Sequence, residues 1–154
     1  MHMKTKILLT ILVVVGLAGC GKDKFNTKPT LTFRSVNTKV VPINGTLTFQ
    51  FEVTDKEGDI TDTLWVRKFR LNKKVVTTLR DSFKLPLPQV SKIQKAFVNV
   101  DLSYENYLKS AIMPPTSGNP PKAENDTLQF KFVLRDKAKN VSDTFTSETI
   151  VIIR

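Results

Sequence analysis

One cysteine, Cys20, and one histidine, His2, are all that the 154-residue chain carries of either type. A lone cysteine closes no disulfide within the chain, so stability has to come from burial. Histidine-assisted serine or cysteine nucleophiles need an imidazole at the site, and zinc sites draw on several histidines or cysteines. A zinc site of histidines and cysteines cannot be assembled from these two residues, and a histidine-assisted nucleophile would depend on His2 alone. Long apolar runs are also missing. Residues 7–17 form the longest near-continuous one, broken only by Thr10 and Gly16, and it falls well short of the ~20 residues that span a bilayer as a helix. No internal repeat is visible, and there is a single tryptophan, Trp65.

What is present starts with a leader. Lys4 and Lys6 precede the apolar run, and small residues follow it up to Cys20. A positive start, a short apolar core and a small-residue cut site describe a secretory signal peptide. Leu17-Ala18-Gly19-Cys20 resembles the lipobox of bacterial lipoproteins. That resemblance implies cleavage before Cys20, acylation of its thiol and attachment to a membrane through the lipid. Several acyl chains on one residue, each worth ~0.8 kcal/mol per buried methylene, make a lasting anchor. Cleavage would remove His2, Lys4 and Lys6 and no acidic residue, taking the formal charge from +10 to +8. The mature chain would then have no histidine. Residues 1–19 are therefore expected to be a signal peptide, 20–28 a lipidated tether and 29–154 one domain. Lys22-Asp23-Lys24 is similar to the surface-export signal of Bacteroidetes-type lipoproteins, and Gly21 does not resemble the inner-membrane retention signal. The expected location is the outer membrane, on its periplasmic face or at the surface.

Hydrophobic residues make up 40% of the chain and charged residues 25%, a balance that fits a globular body rather than a disordered tail. The basic residues are scattered, with no dense run or one-sided stripe of the kind that nucleic-acid binding uses. Nucleic acid is not expected as a partner. A positive surface on an exported protein implies salt-sensitive attraction to anionic envelope polymers or lipid head groups.

From Pro29 onward the period is two. In residues 46–54, Leu47, Phe49, Phe51 and Val53 alternate with Thr48, Gln50, Glu52 and Thr54, which predicts a strand with one buried side. Asn44-Gly45 before it is a turn signal. Residues 128–135 alternate in the same way, with Leu128, Phe130, Phe132 and Leu134 directed to the core. Further strands are expected at 31–41, 63–71, 74–79, 94–102 and 141–153, a short helix at 104–112, and an exposed proline-rich loop at 113–121. Two one-faced strands need a second layer. The segments 51–59 and 133–142 look like strand-and-loop pieces of bacterial cadherin-like and immunoglobulin-like modules. The resemblance implies an all-β fold, a single antiparallel immunoglobulin-like sandwich of about seven strands, with Trp65 as its core tryptophan.

Candidate sites follow from that arrangement. Loops after the second and sixth strands would share a pole and bring Asp136 and Asn140 towards Asp55, Glu57 and Asp59. Calcium takes six to eight oxygens, which such loops offer, although Lys56, Lys137 and Lys139 oppose a cation and Asp or Gly also serve as turn formers. Tyr104 and Tyr107, beside Lys109 and Lys122, are candidates for a platform that takes a glycan or an envelope protein. Nothing gathers Glu52, Glu105, Glu124 or Glu148 into the paired-carboxylate geometry of a glycosidase, and no enzyme activity is expected. Asp62-Thr63-Leu64 and Asp126-Thr127-Leu128 resemble the O-glycosylation sequon of exported Bacteroidetes proteins.

Overall fold

A computed structural model describes residues 28–60, 62–72, 79–88 and 92–154. The leader, Cys20 and the tether up to residue 27 lie outside the described residues, as does nearly all of the strand expected at 74–79. The described residues are all-β, with one short helical turn among them.

The two clean alternating segments are its central strands. In chain order the strands are β1 (Thr30–Val36), β2 (Val40–Val41), β3 (Thr46–Thr54), β4 (Thr63–Arg70), β5 (Ser82–Pro86), β6 (Lys95–Ser103), β7 (Thr116–Ser117), β8 (Lys122–Ala123), β9 (Asp126–Arg135), β10 (Phe145–Thr146) and β11 (Ile150–Ile152). A three-stranded sheet runs β1-β3-β6, and a six-stranded sheet runs β2-β11-β9-β4-β5 with β10 also on β9. All pairings are antiparallel except β11 with β2. β7 and β8 make a small separate hairpin.

The inward residues of β3 and β9 meet between the two sheets. Phe49 and Phe51 from one side touch Phe132 from the other at centroid separations of 4.9 and 5.0 Å. Leu47, Leu64, Leu102, Leu128, Leu134 and Ile152 surround them, all nearly or fully buried. Each such side chain contributes about 1.5–3 kcal/mol by leaving water.

Three expectations change. The strand at 141–153 is broken into an isolated bridge at Val141 and the pieces β10 and β11. At the breaks, Ser142 Oγ and Ser147 Oγ accept the N–H groups of Leu134 and Phe130, both at 2.9 Å. The helix at 104–112 shrinks to one π-helical turn, Tyr104–Leu108, whose cap N–H at Lys109 donates to the Tyr104 carbonyl. Trp65 is not a core residue. Alternation along β4 turns Leu64 and Val66 inward and leaves Trp65 outward, 40% exposed.

Candidate functional site: an acidic pole and a cationic aromatic face

The loops after β3 and β9 have the same construction. Asp55 Oδ2 accepts the N–H of Asp59 at 3.1 Å, and Asp136 Oδ1 accepts the N–H of Asn140 at 2.7 Å. Each loop carries a left-handed residue one position before that donor, Gly58 at φ +75° and Lys139 at φ +74°. A side-chain oxygen closing a turn four residues on is the habit of aspartate. The two loops then lock together, because Ala138 N–H donates to Asp59 Oδ2 and Lys137 N–H to the Asp59 carbonyl, at 3.1 and 3.2 Å.

That locking gathers three carboxylates. One oxygen from each of Asp55, Asp59 and Asp136 lies within 4.8 Å of the others. Asp136 is fully buried and Asp55 nearly so. Asp55 Oδ1 and Asp59 Oδ1 are both shut off from solvent with no hydrogen-bond partner. Burial pushes the Asp59 carboxyl above the usual carboxylate range, and Asp55 and Asp136 beside it push the same way. Of the five expected residues, Glu57 stays exposed, outside the cluster. Asn140 is a support, its side-chain amide donating to Asp136 Oδ2 at 2.9 Å. Asp62 is separate, paired with Arg135 and Lys139 at 2.8 and 3.3 Å.

The tyrosine platform is not where the residues go. Tyr104 is 6% exposed, and its hydroxyl donates to the Ile153 carbonyl at 2.9 Å. Tyr107 is half-buried, its ring 4.7 Å from that of Phe83. Asp126, in the second expected sequon, is fully buried.

Exposed aromatics stand on the outer sides of both sheets, Phe97 on β6 and Trp65 on β4, and those of the six-stranded sheet are grouped with several cations. Trp65, Arg67 and Phe69 point outward from β4, Lys131, Val133 and Arg135 from β9, and Lys84 from β5. Lys84 Nζ sits 4.3 Å from the Trp65 ring centre and the Arg135 guanidinium 5.5 Å from it. Arg67 and Lys131 each approach the Phe69 ring to 4.9 Å. Both distances are within the ~6 Å reach of a cation–π contact. A groove of about 740 Å³ runs over this face, lined by Trp65, Phe69, Lys131 and Arg135 among others and flanked by Val141 and Thr144. The outer side of the other sheet is different in kind. There Glu52 pairs with Lys95 and Arg34, Thr48 donates to Asp101 and Gln50 to Asn99.

A scan against protein-family models finds no match, and a search of curated proteins finds none either. The residues themselves therefore carry the functional reading.

The resemblance to immunoglobulin-like modules assigns Trp65 to the core and so hides this face from a reading of the sequence. The alternation that would have found it is plain in the chain: Leu64 and Val66 fix the inward set, which leaves Trp65, Arg67 and Phe69 together on the other side.

Proposed function

We propose that this chain is a lipid-anchored cell-envelope protein, held at the outer membrane through Cys20, whose immunoglobulin-like sandwich acts as a non-catalytic binding or accessory module. The observation that carries the binding role is the outer side of the six-stranded sheet, where a tryptophan stands 40% exposed in an open groove among cations. Burial would be the cheaper fate for that ring, and exposed aromatics framed by charge are a mark of recognition surfaces. The anchor rests on Leu17-Ala18-Gly19-Cys20.

Two measurements test it. The full-length protein should sediment with membranes and take up labelled fatty acid, and Cys20→Ala should lose both. If Cys20→Ala still sediments and the parent takes up no label, the anchor is wrong. A pull-down from detergent-solubilised membranes decides between a ligand-binding module and a structural subunit, because only the latter brings down an envelope protein in stoichiometric amount.

A second reading, a divalent cation held at the acidic pole, is favoured by the unpartnered Asp55 Oδ1 and Asp59 Oδ1. Calcium accepts oxygens at 2.3–2.6 Å in flexible geometry, and a carboxylate left unpaired out of water is costly. Asp55, Asp59 and Asp136 would be the ligands, with Asn140 orienting Asp136. Calcium is then expected to raise the melting temperature, a chelator to lower it, and Asp55→Asn to abolish the response. A melting temperature indifferent to both additions removes this reading.

A further inference from the structure

The register of the six-stranded sheet sets like charges against each other. Arg67 on β4 lies directly opposite Lys131 on β9. Like charges in directly opposed positions destabilise a sheet. Arg67, Lys131 and Lys84 form no ion pair among the described residues, and Asp81 is the carboxylate that shares their groove. Arg135 alone of the four is paired, to Asp62. The same pattern occurs twice along β4. Trp65 is held between Lys84 and Arg135, and Phe69 between Arg67 and Lys131. Four residues of strand separate the two rings, or about 13 Å.

We propose that this face binds an acidic polysaccharide, a glycan chain bearing uronate groups, laid along β4. The inference rests on the reading of the chain as an envelope binding module, since that places the domain among such polymers. Each part of the geometry matches one property of the ligand. When the cations turn from the rings to the carboxylates of the ligand, the rings offer flat apolar surfaces to sugar faces. Two ring-and-cation units ~13 Å apart suit an extended chain with repeating charge better than a single small anion. The Arg67–Lys131 repulsion is relieved when a carboxylate sits between them. The outer side of the three-stranded sheet has one such ring, Phe97, but the cation beside it, Lys95, is already paired to Glu52. A single-stranded nucleic acid would use similar physics, and its binding is an outcome that the test separates.

The test uses the full chain in detergent, with polygalacturonate as the probe and neutral dextran and oligothymidylate as comparisons. Polygalacturonate should retard the protein in affinity electrophoresis, dextran should not, and the effect should weaken as salt rises. Trp65 is the only tryptophan, so its emission should shift on binding and report this face alone. Arg67→Ser with Lys131→Ser should weaken binding about tenfold, the worth of two cation contacts, and Trp65→Ala should weaken it too. Lys131→Glu guards against a merely unfolded variant. It places opposite charges across the register, so it should raise the melting temperature and still abolish retardation. Removing the same charge elsewhere, by Lys122→Ser with Lys137→Ser, should change little.

Equal losses from the face pair and the remote pair would reduce the effect to net charge and overturn the proposal. Tighter binding of oligothymidylate than of polygalacturonate would overturn it in favour of nucleic acid. No retardation and no emission shift with polygalacturonate would end it outright. The Cys20→Ala fractionation reads independently: a membrane-bound protein that ignores polygalacturonate loses this inference and keeps the anchor.

Discussion

At Asp126 a fully buried carboxylate stands between two guanidinium groups that are themselves almost completely buried. Arg70 Nη2 is 3.7 Å from one oxygen and Arg154 Nη1 is 3.5 Å from the other, and the Ser110 N–H donates to Asp126 at 3.3 Å. Removing one partner of a buried pair leaves uncompensated charge in low dielectric, which costs about 3–5 kcal/mol. Asp126→Asn is therefore expected to destabilise by that order in chemical denaturation, and a cost below about 1 kcal/mol would refute the account. Lys68 is a second buried cation. It turns inward from β4, where its ammonium donates to the carbonyls of Tyr107 and Lys109 at 2.9 and 3.2 Å and pins the π-helical turn. Burial pulls its pKa down to about 8, opposed in part by Asp81 and Asp126. Between pH 8 and the ordinary lysine value the unfolded chain keeps this proton while the folded chain gives it up. Stability from this group thus rises with pH across that window. Lys68→Met should lack the rise, so the difference in unfolding free energy, parent minus variant, should grow between pH 7 and pH 10. A flat difference would place the titration elsewhere.

Single strands show what the sequence made legible and where it stopped. β3 and β9 are readable because Leu47, Phe49, Phe51 and Val53 of one and Leu128, Phe130, Phe132 and Leu134 of the other are large, apolar and inward while their outward neighbours are mostly polar. The inward Asp126 that opens β9 gives no such signal. β4 is not readable, because both of its sides carry apolar and basic residues: Leu64 and Lys68 go in, Trp65 and Arg67 go out. Hydrophobicity alone does not decide between the sides of such a strand. The acidic loops were legible in part. The expectation that they share a pole holds for Asp55, Asp59 and Asp136, yet nothing local announces that Glu57 turns away or that Asn140 supports Asp136. Tyr104 and Tyr107 read as platform residues because a tyrosine suits either surface or core. The decision lies with the Ile153 carbonyl, far away in the chain. The interruptions of the final strand were equally hidden. Ser142 and Ser147 look like ordinary loop residues, but their hydroxyls replace carbonyls that the break takes away from β9. Ser147→Ala strands the N–H of Phe130 in the core and is expected to cost about 1–3 kcal/mol. Amide hydrogen exchange at Phe130 should quicken with it.

At the scale of the whole molecule, the two sheets divide the work. On the outer side of one, the cations Arg34 and Lys95 are paired to Glu52 beside an exposed Phe97, while on the other Arg67, Lys84 and Lys131 form no ion pair and lie against Trp65 and Phe69. No helix among the described residues is long and apolar enough to cross a membrane. Attachment through Cys20, as proposed, would leave both outer sides open to the surroundings. The parallel pairing of β2 with β11 carries one more consequence. The chain leaves the three-stranded sheet after β1 and joins the last strand through Val151 N–H to the Lys39 carbonyl and Ile153 N–H to the Val41 carbonyl, at 2.8 and 2.9 Å. Strands side by side and codirectional slide past each other when the chain is pulled on the N-terminal side of β2 and the C-terminal side of β11. Their bonds are loaded together rather than unzipped one by one. The seam is two residue pairs long, so its few bonds would set the force at which the two segments part.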